Sequence, residues 1–208
     1  KKAAYLNKDF FVVRLVIYFV FWGVLSRFLF SKSVEQDKTG APEIRSKLQG
    51  LCAPSMILLA LTLTFASIDF LMTLEPKWYS TIFGVYYFAG AVVSFHSFFA
   101  LTLMWLQKNG RLAKSVTSEH YHDIGKYMFG WTFFWIYIAF SQFMLIWYAN
   151  IPEETEWYHL RAHGPWGMVS FAMIAVNFVI PFFGLMSRHV KRNRFGLGFW
   201  AVWILVVH

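Results

Sequence analysis

Charge is scarce in this 208-residue chain: Asp, Glu, Lys and Arg make up only 14% of it, against about 25% in a soluble domain. With 58% hydrophobic residues, that shortfall excludes a disordered chain and an ordinary soluble enzyme. Cysteine is almost absent. The single Cys52 excludes an intrachain disulfide and a cysteine-built metal cluster. No low-complexity linker and no clear internal repeat breaks the chain. The first apolar run is too long for a signal peptide and lacks a small-residue cleavage site. Alternating apolar and polar strands, the signature of a membrane barrel, are missing as well.

What is present is a series of long apolar runs. A spanning helix needs about 20 mainly apolar residues, and residues 10–30, 54–74, 81–106, 127–148 and 166–186 each satisfy this. A sixth run, FGLGFWAVWILVVH, starts at Phe195 and is still apolar at His208. It is too short to cross a bilayer at about 1.5 Å per residue. The chain also begins at Lys1, close to a membrane entry. The expectation is an all-α, polytopic transmembrane bundle forming a single domain over residues 1–208, with five complete spans and a truncated sixth, cut from the interior of a longer chain. Residues 31–51 are expected to form a cytoplasmic loop, with a candidate interfacial helix over 42–51. Pro54 suits the first turn of the second helix, and Pro181 should kink the fifth.

The basic residues set an orientation. Twelve of the 19 Lys and Arg fall in residues 31–50, 107–126 and 187–194, while Lys1, Lys2, Lys8, Lys77 and Arg161 fall on the other side. The positive-inside rule makes the first set cytoplasmic. Loops 75–80 and 150–165 are then extracytoplasmic. The net charge of +8 is a topology signal rather than a nucleic-acid footprint. Trp and Tyr, dense around Trp78, Trp147 and Trp166, mark the outer interface.

Ionisable groups at membrane depth are functional candidates. Asp69 is the sharpest. Thr62, Ala66, Asp69 and Thr73 recur at i, i+4, i+7 and i+11 and put small and polar groups on one helix face. A stripe ending in a carboxylate suits a proton relay or a hydrogen bond to a quinol; the alternatives are a hydrogen bond to a neighbouring helix or a pair with Arg14. His96 shares a face with Ala89, Val93 and Ala100. It is read as a proton relay or a helix-to-helix hydrogen bond, and only weakly as a haem ligand, since no second deep histidine faces it. Gln142, beside Ser141, lies at similar depth to Asp69 and is a candidate for the same polar pocket. Asn177 is read as structural. The outer stretch IPEETEWYHLR carries Glu153 and Glu154, facing either solvent or a cationic partner. The cytoplasmic SEHYHD is a weak metal signal, and a solvated loop is the simpler reading.

Two stretches, APSMILLALTLTFASIDFLMTLEPKWYSTIFG and FSQFMLIWYANIPEETEWY, resemble the second large membrane subunit (quinone-binding subunit 2) of alternative complex III. That complex is the bacterial quinol:cytochrome c oxidoreductase, and the subunit is akin to the polysulfide reductase membrane-subunit superfamily. The resemblance implies a multi-pass subunit of a respiratory complex in the bacterial inner membrane. It would anchor partners and be linked to proton movement. Implied partners are a sister quinol-binding membrane subunit, an iron-sulfur subunit and multihaem cytochrome c subunits, with lipid around the spans and no nucleic acid. Haem and iron-sulfur clusters would belong to those partners. This chain would bind neither, with quinone left open, and would not be catalytic alone. Asp69 and Glu75 fall in the matching ASIDFLMTLEP segment, and Glu153 and Glu154 in NIPEETEWY, as candidate polar-path residues. A secondary transporter or proton channel, and a purely structural scaffold, are the competing readings.

Overall fold

The computed structural model describes residues 5–208, and among these every regular element is helical. Lys1 and Lys2, counted above, lie outside the described residues. Five helical stretches are long and apolar enough to cross a membrane: Lys8–Thr39, Pro42–Leu74, Phe83–Lys108, Ser118–Ala149 and Pro165–Met186. This is the make-up of a multi-pass, all-α membrane protein. A further apolar helix, Arg194–Val207, has 14 residues. At about 1.5 Å per residue it is shorter than the roughly 30 Å hydrocarbon core. The chain divides into two compact units, Lys1–Pro76 and Lys77–His208, where the sequence reads as one domain.

The first unit is a helical hairpin of α1 (Lys8–Thr39) and α2 (Pro42–Phe70), followed by a 3₁₀ turn at Met72–Leu74. Asn7 starts α1, its side-chain oxygen accepting from the Phe10 N–H at 2.8 Å. Gly40 ends it at φ 66°, in the left-handed region that only glycine enters cheaply. Pro42 then opens α2 at its first turn, where no N–H is needed. The expected loop over 31–51 therefore shrinks to Gly40 and Ala41. The stretch 42–51 is helical, but continuous with the second span rather than a separate interfacial piece. Pro54 consequently lies inside α2 and not at its start. The carbonyl of Gly50, four residues earlier, loses its usual partner, and Gly50 is exposed.

The second unit is built on α3 (Phe83–Lys108), α4 (Ser118–Ala149) and α9 (Arg194–Val207). On α9, Leu197, Ala201 and Ile204 recur at i, i+4 and i+7 and are fully buried against Val93 and Ala100 of α3 and Met128 of α4. Between α4 and α9 lie α5 (Pro152–Ala162), α6 (Pro165–Ile174), α7 (Ile180–Met186) and the short α8 (Arg188–Arg192). Helices α6 and α7 are one span interrupted by a π turn over Ala175–Val179. This π turn lies just ahead of Pro181, where the sequence predicts a kink. In the π pattern the carbonyl of Val176 would be paired by the N–H of residue 181, and Pro181 has none. The indole of Trp203 on α9 donates to that carbonyl instead, at 3.0 Å.

Candidate functional site

The polar face expected on α2 meets a matching face of α1. Arg14, Tyr18 and Trp22 recur at i, i+4 and i+8 on α1, one above another. The indole of Trp22 donates to Thr62 Oγ1 at 3.0 Å. Two turns further along α2, Asp69 receives three hydrogen bonds. Arg14 Nε donates to Oδ2 at 2.8 Å and Arg14 Nη2 to Oδ1 at 2.9 Å. The Tyr18 hydroxyl donates to Oδ2 at 2.8 Å. The last member of the stripe, Thr73, turns its hydroxyl back to the Asp69 backbone carbonyl at 2.6 Å. Ala66, between Thr62 and Asp69, is buried and lets the helices approach.

The site is sealed. Asp69 is 4% exposed and Arg14 8%. The third arm of the guanidinium donates to the Tyr5 carbonyl at 3.1 Å. Its flat face lies 3.9 Å from the Tyr5 ring centre and 4.4 Å from that of Phe10. Phe70 packs edge-on against Tyr18 and Phe11. Tyr5 precedes the span, and its phenol is raised above its ordinary value, first by burial and then by the Asp69 carboxylate beside it. A bidentate Arg–carboxylate pair in apolar surroundings cancels its own charge and fixes both side chains. To carry a proton, Asp69 would first have to be released by Arg14. As arranged, the site is a clamp between two helices, and it realises the Arg14 pairing that the sequence left as one alternative. Glu75, at the end of the 3₁₀ turn, is exposed and makes no hydrogen bond to Asp69.

The remaining candidates lie in the second unit. The Gln142 amide, 6% exposed, donates to the Tyr158 hydroxyl at 3.3 Å, while its buried Oε1 has no hydrogen-bond partner among the described residues. Tyr158, on α5, is raised by burial, with Gln142 and Arg161 acting against the shift. His96 is displaced from the face expected of it. Ser97 occupies the buried position between Val93 and Ala100. His96 flanks it, with Nδ1 at 2.8 Å from the Val92 carbonyl and its ring stacked on Tyr127 at 5.1 Å. Glu153 and Glu154 are not in a loop but in the first turn of α5, just after Pro152, where acids suit the helix N-terminus. Glu153 is exposed and Glu154 half-buried. Among the described residues no group of three or more His, Cys, Asp or Glu is placed to hold a metal ion, the SEHYHD stretch included.

Sequence reasoning missed Tyr18, Trp22 and Tyr5. The i, i+4, i+8 spacing of Arg14, Tyr18 and Trp22 was the available signal for the first two. Tyr5 lies ahead of the helix and carries none. No protein-family model matches the chain, and no curated protein matches it.

Proposed function

We propose that this chain is a membrane-anchoring subunit of a quinol-oxidising respiratory complex of the alternative complex III type. The support for the family is the pair of stretches around Asp69 and Asn150. The observation that carries the anchoring role is the Asp69–Arg14 clamp: the most deeply buried acid in the family-like segment is committed to holding two helices together. Electrons would pass through iron-sulfur and haem centres of partner subunits, and quinol would be oxidised beside the sister membrane subunit. The test is affinity purification of the tagged chain from its own membranes in mild detergent. Quinol:cytochrome c reductase activity, c-type haem absorbance and an iron-sulfur paramagnetic signal should travel with it. Purification without them overturns the reading. In the assembled complex, Asp69→Asn should lower the yield of complex while leaving turnover per complex intact.

A second role, proton movement by the same subunit, is favoured by one observation. The buried, unpaired Gln142 Oε1 beside the Tyr158 hydroxyl is an acceptor of the kind a water chain uses. Gln142→Leu should then lower the number of protons moved per electron in reconstituted vesicles. An unchanged ratio removes this role.

A further inference from the structure

At the basic end of the second unit, the short helix α8 lies against the first turns of α4 with too many cations for its acids. Glu119 is paired with Arg192, and Asp123 with Lys126 at 2.7 Å. Among the described residues Arg188, Lys191 and Arg194 form no close ion pair, the charge of Arg188 reaching only Glu119, which Arg192 already holds. Lys191 is the unusual one, being 8% exposed. Its stem lies on Gly125, where a Cβ would come within 2.8 Å of Lys191 Cγ. Its ammonium makes one long hydrogen bond, 3.5 Å to the Met186 carbonyl at the end of α7, and lies 5.0 Å from the Phe129 ring centre. An ammonium has three protons to satisfy.

Two further buried nitrogens nearby, His122 Nδ1 and Arg192 Nε, have no hydrogen-bond partner among the described residues. His122 lies in the first turns of α4 and Arg192 on α8, the two helices that pack together at this end. The under-satisfied Lys191 ammonium and the Arg192 Nε–H are both donors, and with the surplus positive charge they call for an acceptor carrying negative charge. The surroundings say what else that acceptor carries. Lys191 lies five residues beyond the end of a membrane-spanning stretch, and Phe183, Met186 and Phe195, close to it in the chain, are exposed and apolar. A free anion has no use for such a surface, whereas acyl chains do.

We propose that the Lys191 cluster binds the phosphate of an anionic phospholipid in the leaflet at the basic end of the protein, with the acyl chains lying along Phe183 and Met186. Burial pushes the Lys191 ammonium below its ordinary value, with Lys126 adding to the effect, and a phosphodiester beside it offsets both causes. Basic pockets between spanning helices at this level are a recurring way of holding anionic headgroups.

The experiment uses the full chain in detergent, with phosphatidylglycerol, phosphatidylcholine or inorganic phosphate added, and native mass spectrometry to count what is retained. Phosphatidylglycerol should be retained in preference to phosphatidylcholine, and millimolar phosphate should not displace it. Lys191→Met keeps the stem on Gly125 and removes the charge. Arg188→Gln is an exposed change that leaves the packing alone. Each should weaken phosphatidylglycerol binding about fivefold, while Arg45→Gln, in the first unit, should not. Equal retention of the two lipids, or unchanged binding by both cluster variants, overturns the proposal. Displacement by inorganic phosphate reassigns the cluster to a free anion. Protection of Lys191 from acylation only in the presence of an acidic partner subunit reassigns it to a protein contact. Either result overturns the lipid site.

Discussion

Arg14 and Asp69 stand 55 positions apart in the chain and meet through two parallel hydrogen bonds of 2.8 and 2.9 Å. The pair has few substitutes, because both side chains are buried and, apart from the Tyr5 carbonyl and the Tyr18 hydroxyl, their neighbours are aromatic rings. Arg14→Gln or Asp69→Asn alone strands one charge, which in a buried pair costs about 3–5 kcal/mol. The double variant strands none. Unfolding of the purified protein, followed by heating in detergent or by titration with SDS, should show each single change strongly destabilising. The double change should be milder than the sum of the two. Additive losses would mean that the pair contributes nothing as a pair.

The seam should also show a gradient along its length. Tyr18→Phe removes a hydrogen bond to a charged acceptor, worth about 1.5–3 kcal/mol. Thr62→Val removes the Trp22–Thr62 bond between neutral groups, for which membrane helix pairs average about 0.6 kcal/mol. The same unfolding assay ranks them. A larger loss from Thr62→Val than from Tyr18→Phe contradicts the charge-assisted account.

These residues also show what the chain discloses before it is folded. The Thr62–Asp69 face is legible because one helix writes its own periodicity. Its partner is not, because pairing Asp69 with Arg14 requires knowing which faces of two helices meet. Tyr18 and Trp22 hid among aromatics that are common everywhere in this sequence. Element ends were misread where hydropathy and helicity part company. The stretch SKSVEQDKT is polar enough to end an apolar run, yet it contains no residue that ends a helix, so α1 continues to Thr39. The charge density of EETEW reads as loop, although Pro152 ahead of two acids is a helix start. His96 was misplaced by a single position on a face whose small residues could be satisfied equally well by Ser97.

The Trp203–Val176 hydrogen bond gives a test with a built-in rescue. Trp203→Phe leaves the half-buried Val176 carbonyl without its donor and should cost about 1 kcal/mol. Pro181→Ala restores an N–H at the position from which a π turn would pair that carbonyl. The second change should therefore recover part of the loss from the first, read as the unfolding midpoint of single and double variants. No recovery would show that Trp203 matters through packing alone.

Glycine tolerance separates close packing from lipid-facing surface. A Cβ on Gly184 would fall 1.8 Å from Trp200 Cζ2, inside a rigid ring, whereas a Cβ on Gly130 meets nothing within 4 Å. Gly184→Ala should destabilise by about 1–3 kcal/mol through overpacking of α7 on α9. Gly130→Ala, in the middle of α4, should instead stabilise by about 0.5–1 kcal/mol. Thermal midpoints of the two variants should therefore move in opposite directions. A tolerated Gly184→Ala would mean that Trp200 has room to swing away.

Orientation is testable because the chain brings a single thiol. With Cys52→Ser removing it, one cysteine can be placed at Asp37, near the tip of the first hairpin, or at Glu153, in the first turn of α5. Three candidate spanning stretches separate these positions, so they lie on opposite sides of the membrane if all three cross. Lys32, Lys38, Arg45 and Lys47 flank position 37, so the positive-inside rule makes the cytoplasm the expected side of that hairpin tip. In intact cells, a membrane-impermeant maleimide should label the Glu153→Cys protein and spare Asp37→Cys, which should react once the membrane is opened. The reverse pattern would invert the orientation, and with it the leaflet that supplies lipid to Lys191. Labelling of both positions in intact cells would mean that one of the three intervening stretches does not cross.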